Sequence, residues 1–94
     1  MTKDLDWVKS TIVPFLTNYE IQYRFFEEGD FGSLTQFIFN SSKKGGGIDF
    51  WGLGWLGIDV YDYENDKQIL NILLKPEQEK EKNEALELLQ NLLQ

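Results

Sequence analysis

The stretch Gly45–Asp66 reads GGGIDFWGLGWLGIDVYDYEND and is the most biased part of the 94-residue chain. It holds five acids, two tryptophans, two tyrosines and six glycines, but no Lys or Arg. If the stretch forms a β-hairpin that turns at residues 52–54, strand alternation sorts its side chains onto two faces. One face is apolar and consists of Ile48, Phe50, Leu56, Ile58 and Val60. We therefore expect a sheet that buries this apolar face in the core.

The other face of the hairpin collects acids and aromatic rings. Its members are Asp49, Trp51, Trp55, Asp59, Tyr61 and Tyr63, with Asp62 and Glu64 at the end of the second strand. Trp and Tyr dominate the hot spots of protein interfaces, and surrounding acids steer a basic partner toward them. We predict that these eight residues form a partner-binding face. The alternative is a second small core, in which the Ser41–Gly47 loop or a helix end covers the rings.

Flanking segments predict two helices and three further strands. A helix is predicted from Leu5 to Leu16, with Asp4 as N-cap and a core stripe of Leu5, Val8, Ile12, Val13, Phe15 and Leu16. Trp7 lies off that stripe and is expected on the binding face or at the sheet edge. The predicted strands are Glu20–Glu27, Ser33–Asn40, Ile48–Trp51, Trp55–Tyr63 and Gln68–Leu74, and a terminal helix covers Glu77–Leu93.

Two details of this segmentation are specific predictions. Three consecutive glycines make Ser41–Gly47 a predicted flexible loop, and near-continuous aliphatics make Gln68–Leu74 a predicted buried strand. Short turns between sequential strands imply an antiparallel meander. The predicted fold is one α+β domain over residues 1–94, with about five strands and the N- and C-terminal helices packed on one face.

Composition narrows the function. Sixteen acids against nine bases give a formal charge of −7, which repels nucleic acids and anionic membranes and attracts basic proteins. There is no Cys or His, so the chain lacks disulfides, thiolate chemistry and the usual zinc, copper and haem ligands. We predict no metal and no cofactor. The N-terminus does not read as a signal peptide and no apolar run approaches membrane-spanning length, so a cytoplasmic location is expected.

Two motifs bear on catalysis. Gly52–Gly57 matches the letters of the dinucleotide fingerprint, but that fingerprint must open a helix, whereas Ile58 and its neighbours continue as a strand. Asp49 and Asp59 could act as paired carboxylates, yet a sheet surface on so small a domain offers little depth to tune their pKa. We therefore predict no enzyme. A deep pocket converging on these two residues would instead favour a small-ligand binder or an enzyme.

The segments Gly46–Trp51 (GGIDFW) and Gly54–Trp55, in a small acidic chain without cysteine, resemble the immunity proteins of bacterial polymorphic-toxin and contact-dependent-inhibition systems. The resemblance implies binding to a cognate toxin domain, often a basic nuclease, and blocking of its active site or an essential surface. The predicted function is thus inhibition of a protein partner. The alternative is a homo-oligomerising or complex-subunit domain, in which the same face meets a copy of itself.

Overall fold

A five-stranded antiparallel sheet forms the centre of the computed structural model, which describes residues 3–93. The strands are β1 (Glu20–Phe26), β2 (Leu34–Asn40), β3 (Lys44–Trp51), β4 (Leu56–Asp62) and β5 (Lys67–Leu74). Their order in space is their order in the chain, and each pairs antiparallel with the next. The predicted α+β meander is confirmed.

The N-terminal helical region spans residues 5–15 and is irregular. It comprises α1 (Leu5–Trp7), a π-helical turn (Val8–Ile12) and a 3₁₀ turn (Val13–Phe15). The carboxylate of Asp4 accepts a hydrogen bond from the Trp7 amide at 3.0 Å, so the predicted N-cap is confirmed. Pro14 has no amide hydrogen to donate, and the region ends within one residue of it.

The π-helical turn changes which side chains face the core. Its wider turn rotates the flanking residues away from the positions expected at 100° per residue. Trp7 is partly buried against the core, and Phe15 is 59% exposed. The prediction placed Phe15 in the core stripe and Trp7 off it, and it was wrong for both residues.

The second helix, α2 (Glu79–Leu93), begins two residues later than predicted. It buries Ala85, Leu86, Leu89 and Leu93, whereas Leu88 faces solvent. Lys44 of β3 donates to the carbonyl oxygen of Leu92 at 2.8 Å, which places a cation at the negative end of the helix dipole. Within residues 3–93 no helix combines the length and the apolar character that crossing a membrane requires.

The core lies between one face of the sheet and both helical regions. Alternation along β2, β3 and β4 directs the same set of side chains inward, and these are buried with residues of both helical regions: Phe37, Phe39, Ile48, Ile58 and Val60 with Val8, Ile12, Leu86 and Leu89. The predicted sorting of the 45–66 hairpin is therefore confirmed. Both helical regions pack on this face and leave the opposite face of the sheet uncovered.

The three consecutive glycines are strand residues, so the loop predicted at Ser41–Gly47 is confined to residues 41–43, and the prediction was wrong for residues 44–47. β3 begins at Lys44, and Gly46 pairs with Phe39 on one side and with Val60 on the other. A Cβ on Gly46 would collide with the carbonyl oxygen of Asp59. Glycine is needed here for the close approach of β3 and β4, and its flexibility in an isolated chain misled the prediction.

The strand predicted to be buried is an edge strand. Within residues 3–93, β5 pairs with β4 alone, and Leu73 is 52% exposed because it points to the uncovered face of the sheet. Its inward residues, Leu70, Ile72 and Leu74, are partly buried against the core. A continuous aliphatic run indicates burial on both faces only when both faces are covered.

Candidate partner-binding face

The uncovered sheet face carries an open groove of about 720 Å³. We call this face the open face. On the central strands it consists of Leu34, Gln36, Ile38, Asn40, Gly45, Gly47, Asp49, Trp51, Gly57, Asp59 and Tyr61. The groove is lined by residues of β1 to β4 and by Tyr63, and these include Glu20, Asp49 and Asp59 but no Lys or Arg. Its lining is therefore acidic.

The groove exists because β3 presents no side chains at its centre. Gly45 and Gly47 point to the open face, so neither residue adds a side chain to the floor of the groove. A Cβ on Gly45 would collide with the hydroxyl of Tyr63, which lies over that position. The small size of the domain predicted a surface of little depth around the two acids. The glycines make this surface concave instead.

Asp49 and Asp59 project from neighbouring strands at the centre of the groove. The register pairs Asp49 with Gly57 and Gly47 with Asp59, so each carboxylate stands diagonally across from the other and opposite a glycine. The side-chain Nε2 of Gln36 donates to Asp49 Oδ1 at 3.0 Å. No Lys or Arg within residues 3–93 forms an ion pair with either acid.

The environment of these acids raises the pKa of both. Burial raises the pKa of Asp49, and the hydrogen bond from Gln36 opposes that rise. Burial also raises the pKa of Asp59, and the negative charge of Asp49 adds to it, while a hydrogen bond from the Gly47 amide opposes both. The fold thus keeps two like charges close together without a cation between them.

Two tyrosines border the groove beside Gly45. The Tyr63 hydroxyl donates to Asn40 Oδ1 at 2.6 Å, and the Tyr61 hydroxyl donates to Asp66 Oδ1 at 2.5 Å. The hydrogen bond to Asp66 raises the pKa of Tyr61. The ring centroids are 5.8 Å apart, and Tyr63 is 47% exposed. Because both hydroxyls are held, the rings are positioned before any partner arrives.

The tryptophans lie at the other end of the open face and share one neighbour. Phe31, in the loop between β1 and β2, stacks on Trp55 at 4.3 Å and meets Trp51 edge-on at 5.5 Å. The Trp51 indole also lies over Gly57, where a Cβ would be 3.1 Å from Cζ3. Both indoles are partly buried. The two tryptophans thus form a small cluster with Phe31, as the alternative of a second small core proposed for them. The residue that covers them is Phe31, and not residues 41–47 or a helix end.

Asp62 and Glu64 are separated from the other predicted site residues. In the register of β3 and β4, Asp62 lies opposite Lys44. The Lys44 amine reaches α2, so Asp62 points to the helix-covered side of the sheet. Its carboxylate accepts from the Asn65 side chain at 2.7 Å and from the Glu64 amide at 3.0 Å, and the bond from Asn65 is the main cause of its lowered pKa. Glu64 is an exposed turn residue. The Asp62 carboxylate organises the β4–β5 turn, and neither acid lines the groove.

Three residues that shape the site were missed by sequence reasoning. Gln36 and Asn40 lie on β2 and hold Asp49 and Tyr63, and their role depends on strand register, which the sequence does not display. Phe31 sits among polar and glycine residues, where a lone aromatic ring has no periodic pattern to join. The sequence offered one indication of its role. Phe31 is the single aromatic residue of a predicted hairpin turn, and the tryptophans flank the next turn but one along the chain.

Comparison of the chain with known protein families, curated proteins and solved structures finds no match. Among residues 3–93 no group of three or more His, Cys, Asp or Glu side chains is placed to hold a metal ion. The open face, with its groove, its two carboxylates and its positioned rings, is the feature from which a function is inferred.

Proposed function

We propose that the protein binds a basic protein partner through the open face and inhibits that partner by covering it. The observation that carries the proposal is the pair of carboxylates, Asp49 and Asp59, which lie in a groove whose described lining holds no cation to neutralise them. Their raised pKa means that the fold disfavours their charge. A cationic group supplied by a partner would remove that disadvantage, so binding and charge neutralisation are coupled.

A lysine or arginine side chain of the partner fits the groove chemically. The head group would lie between Asp49 and Asp59, and the aliphatic stem would pack against the rings of Tyr61 and Tyr63. The glycine floor leaves room for the incoming side chain. Because Trp51 and Trp55 are partly buried against Phe31, their contribution to apolar anchoring is smaller than that of an exposed indole.

The resemblance of GGIDFW and its surroundings to immunity proteins supports a toxin domain as the partner. The formal charge of −7 would speed association with a basic toxin, and the acids in the groove would take the place of the negative charge of its substrate. In this proposal the protein acts stoichiometrically in the cytoplasm. It performs no reaction of its own.

Affinity capture from the native host tests the proposal. The tagged chain is used to retain interacting proteins, and the dissociation constant of a retained basic protein is measured by isothermal titration calorimetry. Asp49→Asn/Asp59→Asn should weaken binding by about 30-fold or more, because each desolvated charge pair is lost. The control Glu81→Gln/Glu84→Gln also removes two acids but changes only the outer surface of α2, and its effect should stay within about threefold.

The inhibitory role is tested separately. Addition of one equivalent of the chain should abolish the activity or toxicity of the captured protein, and the Asp-to-Asn double variant should inhibit only at higher concentration. Equal losses of affinity in the two double variants would refute the open face as the binding site. Full activity of the partner in the saturated complex would refute inhibition while leaving binding intact.

A second candidate function is binding of a small cationic ligand. The groove that converges on Asp49 and Asp59 favours it, because an open groove of about 720 Å³ is large enough for a polyamine or a free basic amino acid. Thermal shifts with spermidine and with L-arginine test this candidate. A saturable rise in Tm at micromolar ligand, absent in the Asp-to-Asn double variant, would favour it over a protein partner.

A further inference from the structure

The two edges of the sheet are protected very differently. On β5 the register shifts opposite Val60 and Tyr61, so Ile69 forms a bulge, and Lys75 and Pro76 follow the strand directly. Bulges, lysines and prolines are the devices that stop a sheet edge from pairing with another chain. β1 pairs along all seven residues with β2 and has no bulge, Pro or Lys. Its outer edge is a regular strand, and no backbone hydrogen bond from elsewhere in residues 3–93 reaches it.

Aromatic side chains remain exposed along β1. Tyr23 is 44% exposed, Phe25 is 62% exposed and Phe26 is 47% exposed. The amine of Lys9 lies 5.0 Å from the Tyr23 ring centroid, and the ring of Phe37 packs beside it on the inner side. An apolar edge of this kind is typical of a surface that is covered in the assembled state.

The charges of β1 favour pairing with a second copy. The strand carries one acid, Glu20, and the single arginine of the chain, Arg24, so it is neutral in a molecule with a formal charge of −7. Antiparallel pairing centred on Gln22 places Glu20 of each copy opposite Arg24 of the other. Ile21 of each copy then lies opposite Tyr23 of the other. Centring on Tyr23 would instead oppose Glu20 to Phe26 and lose both ion pairs.

We propose that two copies of this chain join through their β1 edges in an antiparallel, two-fold symmetric pair. The dimer has one continuous sheet of ten strands, with helices on one side and both open faces on the other. This interface runs along the β1 edge and meets each groove at its β1 rim, where Glu20 and Gln22 belong to the lining. Asp49, Asp59 and the two tyrosines stay uncovered, whereas two copies that met open face to open face would bring like charges together. The pairing therefore does not depend on the identity of the ligand that those acids bind.

Charge reversal tests the interface and its register together. Analytical ultracentrifugation of the wild-type chain should give a species of twice 11.0 kDa. Arg24→Glu and Glu20→Arg should each raise the dimer dissociation constant by about tenfold or more, because each converts two ion pairs into two like-charge contacts. A mixture of the two variants should restore dimers, because one variant then carries acids at both positions and the other carries bases at both.

The controls separate this result from a general charge effect. Lys80→Glu changes the net charge as Arg24→Glu does, but on the outer surface of α2, and it should leave the dimer unchanged. Circular dichroism should show that all variants are folded, because Glu20 and Arg24 are both exposed. A monomeric wild-type chain at millimolar concentration would overturn the proposal. So would a dimer that is insensitive to both reversals, or variants that fail to pair when mixed.

Discussion

Replacing Asp59 with Asn should stabilise the fold at neutral pH and weaken partner binding at the same time. Burial and the charge of Asp49 raise the pKa of Asp59 above its ordinary value of 3.8. The protonated Asp59 carboxyl therefore stabilises the wild-type fold below pH 3.8. This stabilisation is lost as the pH rises through the higher pKa of Asp59 in the folded state. Asn carries no charge, and its Oδ1 can still accept the bond from the Gly47 amide.

The size of the gain follows from the exposure of the side chain. Asp59 remains accessible to solvent, so water screens its repulsion from Asp49. We therefore expect Asp59→Asn to raise the free energy of unfolding by about 0.5 kcal/mol. For a domain of this length such a gain raises Tm by about 2–4 °C. At about pH 3 the wild-type carboxyl is protonated, so the difference between the two chains should vanish.

Thermal unfolding followed by circular dichroism at the two pH values measures this effect. Asp30→Asn, in the exposed turn between β1 and β2, serves as the control and should not change Tm. A lower Tm for Asp59→Asn at neutral pH would refute the electrostatic reasoning. A gain that persists undiminished at acid pH would show that the stabilisation has another origin.

Three further changes test other parts of the structure. Gly54→Ala should lower the free energy of unfolding in urea by about 1–2 kcal/mol, because Gly54 has a φ of +100°; an unchanged free energy would contradict the required left-handed turn. Lys44→Met should cost about 1 kcal/mol and speed amide exchange in the last turn of α2, because the bond to Leu92 is lost; unaltered exchange would exclude that cap. Gly47→Ala places a methyl group on the groove floor, 3.1 Å from the Phe37 carbonyl oxygen and 3.8 Å from Asp59 Oδ1, and it should weaken partner binding by about tenfold by calorimetry. Binding at full strength would show that the groove stays empty in the complex.

The hairpin around residues 45–66 was predictable because its pattern is local. Alternation alone sorts Ile48 and Ile58 from Asp49 and Asp59, and a sheet with one covered face must follow that sorting. The turn at residues 52–54 was also predictable, because it contains two glycines. In the structure the Trp51 amide donates to the Trp55 carbonyl oxygen across this turn at 3.1 Å. Turn chemistry and pleat act within a few residues.

The features that escaped prediction depend on contacts between distant segments. Gly46 lies in a strand because the backbone of Asp59 approaches it, and no local property of a glycine run reveals that approach. Phe31 covers the tryptophans because the β1–β2 loop folds onto the β3–β4 turn, where the Leu53 amide bonds to the Phe31 carbonyl oxygen at 3.1 Å. The groove likewise depends on strand register, because that register sets Gly45 and Gly47 between the side chains of the two neighbouring strands.

The eight predicted binding residues divide for a similar reason. Those that follow the strand pleat, such as Asp49, Asp59 and Tyr61, share the open face as expected. Asp62 ends β4 on the opposite side and caps the turn, since a short-range hydrogen bond to Asn65 determines where its carboxylate lies. Composition grouped these acids together, whereas alternation separates them.

Hydroxyl-radical footprinting of the chain bound to its captured partner shows which face of the sheet the partner covers. The method reports side-chain protection, so it distinguishes the two faces of one sheet. We expect strong protection of Tyr61 and Tyr63, with oxidation of the exposed Phe15 and Leu88 on the helical side unchanged. Protection of Phe15 and Leu88 with continued oxidation of both tyrosines would contradict binding through the open face.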